Sequence, residues 1–367
     1  MSRFRRTFFP ISSLLTRYLL LVTSFFLLTS CAPSPTPIPL SPESNLNVFD
    51  LSTSSLIEYS SDFTIRRELP LNLPCPLIAT HPAPNQPRLA LELDCASGPL
   101  VQILDSTTGN VTIPFPDGDS HFLAWDFEGN IHLRIDALGN ARLMRVAYNI
   151  DSLQFDLPVQ TYDMDFAPGG GTLVYSFTRG LGLGSELWAA NSTAHRTWQL
   201  QADANSIITF ARWSPDSRQI AFIKMPDSQT PFSVGELWVM DANGNHARLL
   251  VPADAGHGYA AAWSPDSTCI AIVGRDNPND PAADQSAGAL VSNIYMVDIA
   301  TGQVTQVTHF QETLVESPVW SADGHFLAFP VVTLNDTIKV WIADLTSGAV
   351  MLLERNGATC CPGWIRK

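Results

Sequence analysis

The chain has 367 residues, 45% of them hydrophobic and 15% charged, with a formal net charge of −14. That balance excludes a disordered polyampholyte, and the shortness of the apolar runs after residue 30 excludes a multispanning membrane protein. The acidity argues against sequence-independent binding to phosphate backbones.

Residues 1–18 carry Arg3, Arg5, Arg6 and Arg17 and no acid, and Leu19 to Leu28 (LLLVTSFFLL) is an apolar stretch of signal-peptide length. Leu28-Thr29-Ser30-Cys31 follows, with an aliphatic residue three positions before the cysteine and two small residues between them. This resembles the lipobox of bacterial lipoprotein precursors. The resemblance implies cleavage before Cys31, its acylation, and a mature chain at −18 once the four arginines have gone. Ala32 follows the cysteine, in place of the aspartate that often retains lipoproteins at an inner membrane. An uncleaved anchor helix is the alternative, and either reading keeps the remainder outside the cytoplasm. The run APSPTPIPLSP has five prolines in eleven residues and reads as an extended, solvated spacer. The expected organisation is a signal peptide over 1–30, a lipidated Cys31 and linker over 31–44, and a folded domain over 45–367.

The domain repeats itself. Ala211 to Phe222 (ARWSPDSRQIAF) returns as Ala261 to Ile272 (AAWSPDSTCIAI) and Pro318 to Phe329 (PVWSADGHFLAF), with weaker copies beginning at Ile78, Leu123 and Met164. A second block follows each, as in Glu186-Leu-Trp-Ala-Ala190, Glu236-Leu-Trp-Val-Met-Asp241, Asn293-Ile-Tyr-Met-Val-Asp298 and Lys339-Val-Trp-Ile-Ala-Asp344. Enrichment in Val, Ile, Trp and Tyr between short turns predicts four strands per unit. Anchors at Thr80, Trp125, Phe166, Trp213, Trp263, Trp320 and Trp364 lie 41 to 57 residues apart. This is the period of a β-propeller built from four-stranded blades. Residues 45–70 have room for three strands that complete the blade begun by Trp364, which predicts seven blades and a ring closed by strands from the two ends of the chain. Six blades with decorated ends is the alternative.

The W-S-P-D-[SG] block followed by [IL]-[YW]-x-x-D resembles the repeats of TolB-type β-propellers over residues 75–367. The resemblance implies structural roles: Trp213, Trp263 and Trp320 pack between blades, while Asp216, Asp266 and Asp323 order turns. It does not imply TolB's envelope role, since residues 32–74 are too few for the α/β domain that precedes TolB's propeller. No G-x-S-x-G elbow suggests a hydrolase.

Cys75 and Cys95 bracket one predicted hairpin and form the first disulfide candidate; Cys360 or Cys361 is a candidate for locking the ring. His81, His121, His257 and His309 are expected near the channel mouth, without the spacing of a metal site. Gly180-Leu-Gly-Leu-Gly184 precedes a strand rather than a helix, so it reads as a hairpin connection. Asp276, Asp280 and Asp284 share one long loop without a calcium pattern. No catalytic residue, metal or cofactor is assigned. The favoured function is a membrane-tethered module that binds an envelope protein, a peptide or a glycan, and not nucleic acid. The alternative is a propeller enzyme, a polysaccharide lyase or hydrolase, working at the channel mouth.

Overall fold

The Trp-Ser-x-Asp blocks close hairpins, and their hydrogen bonds explain why these residue types recur. Each serine hydroxyl donates to the aspartate two positions on: Ser214 to Asp216 at 2.6 Å, Ser264 to Asp266 at 2.6 Å and Ser321 to Asp323 at 2.5 Å. The same hydroxyl accepts the backbone N–H five residues on, from Gln219, Cys269 or Phe326, each at 2.9 Å. The residue after the aspartate is left-handed, with φ of 61° at Ser217, 63° at Ser267 and 74° at Gly324, which restricts that position to small residues.

A computed structural model describes residues 44–366, except 117–118, 127, 138–139, 148–149, 157–160, 181, 192–195, 255–259 and 334–336, with side chains from 136 to 160 and that of 366 also outside the description. Cys31 and His257 lie outside the described residues. The described strands form seven antiparallel sheets. Six take consecutive strands, and their innermost strands are Leu77–Pro82, Asp119–Trp125, Thr161–Phe166, Ser206–Trp213, Ala262–Trp263 and, after Thr313–Val315, Val319–Trp320. In the remaining sheet Thr359–Arg366 pairs with Ser44–Asp50, then Ser55–Tyr59 and Ile65–Pro70 follow. Its register sets Ser44 opposite Arg366, Leu46 opposite Trp364 and Asp50 opposite Thr359.

Each sheet packs face to face against the next in chain order. The strand Cys269–Arg275 is therefore buried along its whole length, and the polar and apolar alternation of a half-exposed strand is lost there. Between the Trp213 and Trp263 sheets lie Ile223, Leu237, Val239, Ile270 and Ile272, all at most 3% exposed. Burying each such side chain contributes roughly 1.5–3 kcal/mol. The terminal sheet packs Leu46, Val48 and Ile57 against Ala328, Val340 and Ile342 on one face, and Phe49 and Leu56 against Leu89, Leu91 and Leu104 on the other.

Three of the anchor indoles link innermost strands, while those of Trp213 and Trp364 have no hydrogen-bond partner among the described residues. Trp125 Nε1 donates to His81 O at 2.9 Å, Trp263 Nε1 to Arg212 O at 3.0 Å and Trp320 Nε1 to Ala262 O at 2.9 Å, each reaching the innermost strand of the preceding sheet. Tryptophan suits the position because it fills the gap between sheets and still carries a donor at its rim. The first anchor needs correction. Pro82 pairs with Leu89 as Trp213 pairs with Ile220, so Pro82, not Thr80, holds the anchor register. The hairpin has the same length in both sheets, and the Leu89-Ala90-Leu91 block fixes its far end.

Strand direction defines two faces. Innermost strands begin on the face that carries the connections 227–233 and 276–291, because Ser206 pairs with Pro226 at the start of one of them. They end on the face that carries the Ser-x-Asp turns. Ser44 pairs with Arg366, the last residue of its innermost strand, so the chain enters the fold on the face opposite the long connections.

Candidate functional site: the innermost strands and the long loops

The innermost strands carry one charged cluster that sequence reasoning missed. Thr161–Phe166 presents Asp163 and Asp165 on the same side, two residues apart, toward the next innermost strand. That neighbouring strand is bulged between Thr209 and Arg212, with Phe210 at φ 52°, and backbone N–H groups turn toward the carboxylates. Asp163 Oδ2 accepts Ala211 N–H and Asp165 Oδ2 accepts Trp213 N–H, both at 2.8 Å, while Arg212 Nη1 donates to Asp163 Oδ1 at 2.8 Å. Burial pushes the Asp165 carboxyl up to about 6, against the pull of Arg212 and of the Trp213 N–H, and the Asp163 charge pushes it the same way. Burial opposes the charge of Arg212, but Asp163 and Asp165 more than offset it and hold the guanidinium proton more tightly than usual. The cluster braces two innermost strands. An Asp-x-Asp alternation within a strand reads in sequence as an ordinary polar face, and only the next strand's bulge distinguishes it.

Of the four histidines expected near the channel mouth, three are described, and they occupy different settings. His81 is the next-to-last residue of its strand, not near the start; its ring stacks on Phe122 of the next sheet with centroids 3.9 Å apart, and Nε2 lies 3.3 Å from Glu92 Oε2. His121 lies near the beginning of Asp119–Trp125, opposite Arg134. His309 lines a cavity of 540 Å³ with Phe310 and Trp341, between the outer strands of the last two consecutive sheets and away from the innermost strands. Among the described residues no group of three His, Cys, Asp or Glu side chains can hold a metal ion.

Cys75 is bonded to Cys95. Cys360 is bonded to its neighbour Cys361 within one strand, so that pair does not join the strand to another segment.

The second feature is the pair of long connections. Arg275, with a side chain 1% exposed, donates to Asp254 Oδ1 at 3.0 Å, to Asp284 Oδ1 at 2.9 Å and to Phe232 O at 2.9 Å. Phe232 and Asp284 belong to the two connections, which are thereby fastened to each other. The other loop acids have local partners: Asp276 accepts from Tyr295 Oη at 2.5 Å and from Asn293 Nδ2 at 2.6 Å, and Asp280 from Ala282 N–H at 2.9 Å. Their carboxylates order the loop. The Gly180–Gly184 hairpin borders the same face, and Gly184 N–H donates to Asp227 Oδ2 at 2.8 Å. Gly184 has φ +69°, and a Cβ there would lie 2.0 Å from Asp203 O, so no other residue fits.

No family model matches the chain, and no curated protein matches it in sequence. Solved structures match its fold. An oligogalacturonate lyase in complex with manganese aligns at a TM-score of 0.58 and 14% identity, over 84% of each chain. TolB from Acinetobacter baumannii aligns at 0.50 and 17% identity, over 84% of this chain and 78% of that one. The fold is a TolB-like β-propeller. A prolyl endopeptidase aligns at 0.60 and 9% identity, but the TolB-like propeller spans only half of that chain. Identities this low establish architecture and leave activity to the residues of each site.

Proposed function

We propose that the chain is a lipoprotein, tethered through Cys31 outside the cytoplasm, whose propeller is a closed ring of seven blades that binds a protein, peptide or glycan of the cell envelope. The observation that carries this reading is the buried Arg275 clasp. It holds two long connections in one arrangement before any partner arrives, and a preformed surface loses less entropy on binding than a mobile one. The clasp lies on the face opposite the entry of the chain at Ser44, so a tether reaching Ser44 from Cys31 leaves the loops pointing away from the bilayer. Two or more acyl chains on Cys31 meet the requirement for stable anchoring. Closure of the ring is supported by the pairing of Ser44–Asp50 with Thr359–Arg366 and by the packing of that sheet on both neighbours.

Two measurements test the two halves of this reading. Mass spectrometry of the mature N-terminal peptide is expected to find Cys31 as its first residue, carrying acyl chains; an unmodified residue 31 inside a longer peptide removes the tether. Capture from solubilised membranes is expected to yield bound species with the native chain, and to lose them when residues 278–288 are replaced by a Gly-Ser linker. Equal capture by both forms removes the loop face from the proposal.

The second reading, an enzyme working at the channel, is supported by one feature, the Asp165 carboxyl that burial pushes up to about 6 on an innermost strand.

A further inference from the structure

A cavity of 470 Å³ lies between the terminal sheet and the Pro82 sheet, on the face where the chain enters. Its walls are the ends of strands and hairpin turns: Asn45 and Ile365 beside the entry point, Glu58, Arg66 and Arg67 around one hairpin, and Pro87 in the next sheet. Two arginines in one cleft stand out in a chain of net charge −14. Glu58 is held between them, 3.4 Å from Arg66 Nη1 and 3.2 Å from Arg67 Nη2, and it also accepts from Asn45 Nδ2. Arg67 is further fixed by Ser106 O and by Thr107 O, the latter at 3.0 Å. Arg66 is 49% exposed, and its planar fork of five donors has donors beyond the one nearest Glu58.

Asn47 supplies the second observation. It lines the same cavity, is 3% exposed, and its Oδ1 has no hydrogen-bond partner among the described residues, while its Nδ2 donates to Asn45 O. A buried acceptor without a donor is uncommon in folded proteins, and a ligand donor satisfies it. The cavity thus offers a guanidinium for an anion and, deeper, an amide oxygen for an N–H or O–H group.

We propose that this cleft binds a phosphate ester bearing a hydrogen-bond donor, such as the phosphoethanolamine or phosphoglycerol group of a phospholipid, with the phosphate on Arg66 and the donor on Asn47 Oδ1. Guanidinium and phosphate geometries match through paired N–H donors. The anion site stands on this geometry alone; only its lipid source rests on the proposed tether, which would hold this face toward the bilayer.

The test uses the full chain in dodecyl maltoside micelles, which contain no phosphate, with binding followed by calorimetry. The probes are glycerophosphoethanolamine, inorganic phosphate, and phosphatidylethanolamine doped into the micelles. The native chain is expected to bind the first and third. Arg66→Glu is expected to weaken binding by about tenfold or more, and Arg66→Lys by less, since the site is exposed and the fold does not depend on it. Asn47→Leu is expected to abolish the preference for glycerophosphoethanolamine over inorganic phosphate. Binding of the soluble ester without the doped lipid keeps the site and removes the lipid as its source. Absence of binding by all three probes, or binding unaltered by Arg66→Glu, overturns the proposal. The acylation state of Cys31 is read separately, so loss of the tether and loss of this site are distinguishable.

Discussion

Replacing Arg275 by alanine is expected to cost about 3–5 kcal/mol of unfolding free energy, the range for removing one partner of a buried ion pair. Asp254 is 0% exposed at its side chain, so its carboxylate would lose the guanidinium without gaining water. Asp284, 38% exposed, would relax into solvent at little cost, which makes Asp254 the seat of the penalty. Guanidinium denaturation measures the loss. Limited proteolysis should show faster cleavage within 277–290, because the bond to Phe232 O and the bond to Asp284 disappear together. The double variant Arg275→Met with Asp254→Leu is expected to recover most of the loss, since it leaves no buried charge. A double variant as unstable as the alanine variant would show that the guanidinium matters through packing rather than through charge.

The second large effect concerns pH. Asp165 holds its proton up to about 6 in the fold, against 3.8 when unperturbed. The native state therefore binds this proton more tightly than the unfolded chain does. Between about pH 4 and 6 the unfolded form releases it first, so stability falls as pH rises through that window and levels off above it. A shift of roughly two units corresponds to about 3 kcal/mol. Asp165→Asn keeps an oxygen for the Trp213 N–H and has no proton to release. It is expected to stabilise the protein by up to about 3 kcal/mol at pH 8 and to change little at pH 4. Glu316 is also raised by burial and adds a slope of the same sign, so the quantity to compare is the difference between the native chain and the variant at each pH. Asp126 acts elsewhere: despite the upward push of burial, its bonds to His132 and Asn130 hold it down to about 2, and its contribution is lost only as the pH falls below 3.8. A variant less stable than the native chain by the same amount at both pH values would contradict the buried-charge account.

Sequence reading reached the architecture because its signals are local. The Ser-x-Asp turn needs a hydroxyl, a carboxylate and a small left-handed residue at fixed offsets, and the Trp before it fills the gap between sheets, its indole N–H reaching the preceding strand at Trp263 and Trp320. Where those residues are missing the register drifted, as at Pro82, which has neither an indole nor a Ser-Pro-Asp turn to mark it. The candidate sites were less legible, because they depend on what one sheet offers the next. Asp163 and Asp165 acquire their partners from a strand more than forty residues away, through a bulge that no composition signals. His121 keeps its expected place near the start of an innermost strand, whereas His81 and His309 do not, because closeness to an innermost strand does not decide which face or level a side chain occupies. His81 found Phe122 and His309 found the outer groove. Arg275 adjoins the loop of Asp276, Asp280 and Asp284, and nothing in that stretch of sequence indicates that its side chain enters the core.

The pairing of Ser44–Asp50 with Thr359–Arg366 joins strands separated by more than three hundred residues. During synthesis Ser44–Asp50 is among the first strands of the fold to emerge and its inner partner the last. Until then one edge of that first sheet stays open, with unpaired N–H and C=O groups available to any passing strand. In that interval the seam is where a second copy can most readily substitute its own Thr359–Arg366 strand. The pairing within one chain would then be the slow product of a race against exchange between neighbours, and that race is settled by local concentration rather than by the final stability of the sheets.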